Sequence, residues 1–357
     1  MANNISFNYA PLEKPKPVVG KGEFVIAVAS MEHNHIYEMS RGLIEAGATL
    51  KWAYDVDPAK VERFLKTYPD AKPAPSLDAI LQDPEVQLVA AAAIPNERGP
   101  LGVKVMEHGK DYFTDKTPFT SLDHLAAAKE AVKRTGKKYA ISYSERLDVE
   151  SSVYAGQLIK AGAIGRVVQV LGIGPHRLNT HPRPAWFYKK EQYGGIICDI
   201  GSHQIESFLY YADCKDAKVV DSKVANYNNK HYPELEDFGD VNLVGDNGAT
   251  NYFRVDWLSP TGLSTWGDGR MFILGTKGYI ELRKYVDIAR EQETDHVYIV
   301  NDDGERQMNV KGLVGFPHFG ELILDCINRT EIAMTQEHAF KAAEICLLAQ
   351  KHAVRVE

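Results

Sequence analysis

The chain has 357 residues, of which 44% are hydrophobic and 25% charged, with a formal net charge of −7. At ~150 residues per domain this length predicts two domains of ordinary globular composition. There is no lysine- and arginine-rich footprint for nucleic acid. No apolar run approaches the ~20 residues of a membrane helix.

Residues 1–22 read as an extended arm. Lys14-Pro15-Lys16-Pro17 favours polyproline geometry over helix, and the segment lacks the apolar stretch of a secretory signal. Such an arm is either a loose tail or packed on a neighbouring domain or subunit. Next, Phe24 to Ala29 forms an unbroken apolar run, the mark of a strand buried on both faces. A helix follows from Ile36 to Ala46 and closes at Gly47. Strands are predicted at Leu50–Tyr54, Leu88–Ala93, Tyr112–Thr114 and Tyr139–Tyr143. Helices are predicted at Val103–His108 and from a Thr120 or Ser121 cap to Thr135. This alternation predicts a Rossmann-like, doubly wound parallel sheet over residues 23–147.

The pattern changes at residue 148. A helix over Val149–Lys160 and a strand over Val167–Gly172 precede a loop at 174–195 and a helix at 198–212. Strand-like runs then occur at 217–227, 240–245, 249–257, 270–275, 278–282, 285–289 and 296–300. They predict a large, mostly antiparallel sheet. Helices near 316–328 and 336–355 complete an α+β domain at 148–357, whose last helix can pack back on the first domain. The four cysteines, Cys198, Cys214, Cys326 and Cys346, show no C-x-x-C spacing. They read as reduced thiols of a cytoplasmic protein, and no metal site is expected.

A dinucleotide site normally carries G-x-G-x-x-G after the first strand. Here that segment runs Ala29-Ser30-Met31-Glu32-His33-Asn34-His35, without the glycines. The strand–turn–helix context remains, and a helix N-terminus still presents N–H groups to an anion. Ala29 and Ser30 are small where close approach is needed; His33 and His35 are either pocket or plain loop residues. Asp55, ending the second strand, suits a ribose diol and would repel a 2′-phosphate, which favours NAD over NADP. Asp57 is better placed to cap the helix from Pro58.

On the helix containing Gly201, at ~100° per residue, Asp199, His203, Glu206 and Tyr210 fall near one line. This polar stripe is either solvated or functional. An aspartate and a histidine one turn apart can converge on a small substrate, and imidazole exchanges protons near neutral pH. Lys116 follows the strand Tyr112–Thr114, at a carboxyl end where open α/β sheets bind ligands.

These residues carry a resemblance. Asp115-Lys116-Thr117-Pro118 takes the place of a Glu-Lys-Pro motif, and Gly194 to His203 matches G-G-x-x-x-D-x-G-x-H without a gap. Ile94-Pro95-Asn96 stands for a Thr-Pro-Asn turn. Over about residues 23–350 the chain resembles the glucose–fructose oxidoreductase, inositol dehydrogenase and rhizopine-catabolism (Gfo/Idh/MocA) family. The resemblance implies a catalytic trio of Lys116, Asp199 and His203. It implies a nicotinamide cofactor lined by Asn96, Lys116 and the loop at 29–35, with Asp55 at the adenosine ribose. The chain departs from the family in its missing glycines and in Asp115, a shorter carboxylate.

The loop from Gly174 to Tyr188 mixes His176, Arg177, Trp186 and Tyr188, polar and aromatic groups that suit the edges and faces of a sugar. Its other reading is an interface or surface loop. Glu145 and Arg146 can also reach the cleft; Asp268 and Arg270 fit a hairpin better than a cleft edge. The expected activity is hydride transfer between NAD (less so NADP) and a carbinol of a carbohydrate-like substrate. Two rival readings are glycoside cleavage through transient oxidation, and a non-catalytic sensor or scaffold. Relatives associate through the second-domain sheet, so a homodimer or homotetramer is expected, with no nucleic-acid or membrane partner.

Overall fold

The computed structural model describes residues 7–179, 183–290 and 293–356. Part of the predicted arm (1–6) and part of the 174–188 loop (180–182) lie outside the described residues.

The first domain alternates strands and helices. Its elements are β1 (Val25–Met31), α1 (His35–Glu45), β2 (Thr49–Tyr54), α2 (Pro58–Thr67), β3 (Lys72–Pro73) and α3 (Leu77–Gln82). They continue through β4 (Val86–Ala92), α4 (Pro95–Glu107), β5 (Asp111–Asp115), α5 (Leu122–Thr135) and β6 (Tyr139–Ser142). All neighbouring strands in this sheet pair in parallel, in the order β3-β2-β1-β4-β5-β6. The order reverses between β1 and β4, and the crevice at such a switch point is where these folds bind ligands. Local chemistry sets the helix ends. Ser121, not Thr120, caps α5 by accepting from the His124 amide, and Gly136 closes it at φ 66°. Asp57 caps α2 through the Ala59 amide.

The second domain begins with α6 (Ser144–Leu147), α7 (Glu150–Lys160) and β7 (Val167–Pro175). A 3₁₀ turn at Ala185–Tyr188 leads into α8 (Lys190–Tyr193), α9 (Ile196–Asp199) and α10 (Gly201–Tyr211). Next come β8 (Ala217–Ala225), β9 (Phe238–Gly245), β10 (Thr250–Asp256), β11 (Arg270–Gly275), β12 (Gly278–Arg283), β13 (His296–Asn301) and β14 (Gly304–Asn309). The chain closes with α11 (Pro317–Asn328), α12 (Gln336–His352) and β15 (Val354–Val356). The sheet order is β14-β13-β12-β11-β7-β10-β9-β8-β15, antiparallel except for the β7–β10 and β8–β15 pairs.

Two predicted elements differ. Residues 285–289 are not a strand. The Asp287 carboxylate accepts from the Ala289 amide and from Arg283 Nη1, an Asx turn that diverts the backbone from the ladder. The helix predicted at 198–212 is two helices, α9 and α10, meeting at Ile200. Its polar stripe is solvated only at its far end: Asp199 is mostly covered, His203 and Glu206 are buried, and Tyr210 is exposed.

Two apolar clusters each join residues of both domains. In α12, Gln336 bonds both the amide and the carbonyl of Tyr139 on β6, and Phe340 packs on Phe119 and Tyr139. Gly42 of α1 lets α11 approach: an added Cβ would lie 2.4 Å from the Phe319 ring. From Phe7 the arm lies on its own chain. The Tyr9 carbonyl accepts from Tyr154, Leu12 bonds Gln157, and Val18 bonds the Ala46 carbonyl.

Candidate active site

Lys116 leaves the carboxyl end of β5, and its Nζ lies 2.5 Å from Asp199 Oδ1 on α9. Each partner is fixed from behind. The Arg98 guanidinium, buried under α4, donates to the carbonyls of Ala93, Lys116 and Thr117 and to Asp115. Thr117 Oγ1 donates to the Cys198 carbonyl, which ties the β5 turn to α9. The start of α9 is capped twice: Glu236 accepts from the Ile196 amide and Gln350 Oε1 from the Ile197 amide. Gly195 is required there. It sits at φ 93°, and a Cβ would fall 2.3 Å from the Gln350 side chain.

His203, on α10, is 2% exposed, and its Nδ1 has no partner among the described residues. Burial lowers its pKa to about 3, with Glu145 pulling the other way and Lys116 adding to the fall. The imidazole is therefore neutral at pH 7, and as so weak a base it accepts a proton only where a neighbouring charge such as Glu145 stabilises the imidazolium. Burial would raise the Asp199 carboxyl, but Lys116 outweighs it and keeps the group ionised.

The substrate-side residues divide. Glu145, on α6, is buried, and its Oε2 accepts from Lys284 Nζ at 2.8 Å and from Gln204 Nε2 at 3.1 Å. Its pKa falls to about 2, because Lys284 and then His203 overcome the cost of burial. Lys284 escaped the sequence reading. Its signal was the period-two row Ile280, Leu282, Lys284, which continues the inward face of β12. His176 packs edge-on against Trp257 and tilted against Trp266, with ring centroids at 5.3 and 4.5 Å, and burial lowers its pKa to about 4.

Arg146 turns away from the cleft. Its guanidinium is engaged by both oxygens of Glu206, lies 3.9 Å from the Tyr210 ring centroid, and joins His338 in one buried cluster. Arg177 is also engaged elsewhere, donating to the carbonyls of Pro260, Leu263 and Thr265. Tyr188 stacks on Tyr232 at 3.7 Å. Trp186 Nε1 donates to Glu32 Oε2 at 3.2 Å, linking the second domain to the β1–α1 turn. Asp268 and Arg270 pair with each other at the start of β11.

On the nucleotide side, Ala29 is buried at the end of β1 and Ser30 is left-handed at φ 66°. The Asp55 carboxylate accepts from the amides of Met31 and Asp57. His33 and His35 each bring Nδ1 to 2.8 Å from a different oxygen of Asp115. Burial, then His35, lowers the His33 pKa to about 3. The donors of this trio lie within 4.8 Å of one another, and Arg98, 3.2 Å from Asp115, supplies balancing positive charge. Asn96 Oδ1 is buried without a partner among the described residues.

These features fit a nicotinamide cofactor at its reactive end, where Ala29 is small and the buried acceptor of Asn96 is open. The pyrophosphate end departs from the glycine-rich pattern. There the amides of Glu32 and His33 already bond the Ala92 carbonyl.

Comparison with known proteins agrees with this division. Residues 17–143 match a model described as "Oxidoreductase family, NAD-binding Rossmann fold", and 153–281 match the GFO/IDH/MocA C-terminal domain. A solved protein from Erwinia carotovora atroseptica SCRI1043, classed as an oxidoreductase without a stated substrate, is 47% identical. It covers 94% of this chain and all of its own, with a TM-score of 0.91. A Thermotoga maritima structure shares the fold at TM-score 0.79 and 20% identity, covering 92% of this chain and 98% of that one. Among curated proteins, the scyllo-inositol 2-dehydrogenase (NAD(+)) of Bacillus subtilis (strain 168) is 28% identical over 63% of this chain and 61% of its own length. The D-xylose dehydrogenase of Paenarthrobacter nicotinovorans is 25% identical over 47% of this chain and 44% of its own. The chain thus spans 61% and 44% of the lengths of these two curated relatives. Both halves of the fold, and a near full-length relative at 47% identity, establish that the chain belongs to the Gfo/Idh/MocA family of oxidoreductases.

Proposed function

We propose that this protein is an NAD-dependent dehydrogenase that oxidises one carbinol of a sugar or polyol. The observation that carries the reading is the Lys116–Asp199 pair, joined across the two domains beside a buried neutral His203. A bound nicotinamide supplies the hydride acceptor; the chain supplies position and proton chemistry. His203 accepts the hydroxyl proton. Lys116 donates to the same oxygen and stabilises its developing charge, while Asp199 orients the ammonium. Ala29, Ser30, His33, His35, Asn96 and Lys116 line the nucleotide, and Asp55 faces the ribose and favours NAD over NADP. Glu145, His176 and Trp186 contact the substrate.

The four cysteines are buried free thiols, which supports a reducing compartment such as the cytoplasm. Leu171, Tyr252 and Phe272 are half-exposed neighbours in register on one sheet face. That apolar strip supports self-association as a dimer or tetramer, and a monomer mass by light scattering would refute it.

A panel of polyols, aldoses and glycosides, assayed with NAD and NADP, tests the activity. The expected result is NADH formation with a free polyol or sugar. Aglycone release without net NADH would replace this reading with glycoside cleavage. No binding of either nucleotide would leave a sensor or scaffold.

A further inference from the structure

Glu145 and Lys284 are buried charges that the proton transfer does not use. Glu145 is 3% exposed and Lys284 1%. Their contact joins α6 to the end of β12, and Gln204, the neighbour of His203, completes it. Core ion pairs of this kind are commonly replaceable by apolar side chains without loss of stability. A purely structural pair would also saturate its own hydrogen bonds. This one does not. Lys284 and Gln204 both donate to Oε2, and Glu145 Oε1 has no partner among the described residues. His203 Nδ1 and Gln204 Oε1 are likewise buried without partners. The sheet makes room for the group: a Cβ on Gly172 would lie 2.1 Å from Gln204 Oε1. Two open oxygens, on Glu145 and Gln204, thus accompany the open Nδ1 of the imidazole assigned to the reacting hydroxyl.

We propose that Glu145 Oε1, held by Lys284 and Gln204, accepts a hydrogen bond from a second substrate hydroxyl next to the one oxidised, so that the site selects vicinal diols. This deepens the dehydrogenase reading and rests on it for the identity of the reacting group. The chemistry is selective because an ionised carboxylate only accepts. A hydroxyl satisfies it, whereas a hydrogen, a keto oxygen or an O-methyl group leaves it unpaired. A site built to bond a hydroxyl rejects analogues lacking it by large factors, here at least about 10²-fold.

The test is calorimetric binding of a cyclitol and a pentose, each beside its monodeoxy and mono-O-methyl analogues, to the full-length protein. Wild type is expected to lose at least about 10²-fold in affinity for one deoxy position and for the matching O-methyl compound. In Glu145→Gln that discrimination should collapse to within a few fold. Because Glu145→Gln leaves Lys284 unpaired and could fail to fold, the double variant Glu145→Gln/Lys284→Met removes both charges and should give the same collapse. Retained discrimination in a folded variant, or no binding of any polyol to wild type, overturns the proposal. Binding is read without turnover. Diol selectivity without NADH formation would therefore refute the dehydrogenase reading alone, and NADH formation without Glu145-dependent selectivity would refute only this one.

Discussion

The two walls of the cleft treat their polar groups differently. On the nucleotide side, Asp55 holds the Met31 and Asp57 amides, and Asp115 holds His33, His35 and Arg98. On the substrate side, His203, Glu145 and Gln204 each bury an atom with no partner among the described residues. A buried polar group left unpaired costs free energy, so these atoms gain from any water or substrate hydroxyl that reaches them. The first wall is more nearly complete in itself; Asn96 is its exception. The contrast shows why a missing glycine motif need not remove a site. Side-chain bonds shape this β1–α1 turn where glycine geometry would ordinarily do so.

The sharpest way to break this contrast is to disable the substrate wall. His203→Ala is predicted to lower kcat by ~10²–10⁴-fold, with Lys116→Met falling in the same range and nucleotide binding little changed by His203→Ala. Stopped-flow NADH formation and a nucleotide titration measure the two terms. Near-wild-type turnover in both variants would reject the assigned roles.

Arg146 gives the next effect. If its guanidinium serves only Glu206, Arg146→Met leaves that buried carboxylate with His338 as its remaining partner and costs up to ~3–5 kcal/mol in denaturant unfolding. KM in the surviving folded protein should stay near wild type. A variant of normal stability with a raised KM would return Arg146 to the cleft.

Group by group, the smallest effect concerns acid. His33 and His203 titrate near 3, and His176 and His318 near 4, against 6.5 in the unfolded chain. The unfolded chain therefore binds protons first. The contribution of these groups to stability is intact above about pH 6.5 and is lost as pH falls toward 4 and then 3. Each group adds a slope of up to ~1.4 kcal/mol per pH unit. The unfolding midpoint should begin to drop below pH 6.5, offset in part by Asp148, whose carboxyl burial raises to about 7 and which therefore gains stability as it protonates, and His318→Phe should flatten the drop. A midpoint constant from pH 7 to 4.5 would contradict it.

What was legible in the sequence follows chain distance. Lys116, Asp199 and His203 stand in short motifs, and the alternation of β1 through β6 is local, so both could be read directly. Arg146 misled because its partner Glu206 lies 60 residues away. His33 and His35 gave no sign that both would turn to Asp115, about 80 residues on. Lys284 was hidden because residues 285–289 read as a further strand, when Asp287 had already bent the chain.

Gln350 carries a consequence for the order in which the site is finished. Its amide oxygen receives the first turn of α9, and its nitrogen binds the Glu236 that receives the same turn. During synthesis, the motif from Gly194 to His203 therefore leaves the ribosome well over a hundred residues before its clamp. A nascent chain can hold every proton-transfer group and still lack the support that aims Asp199.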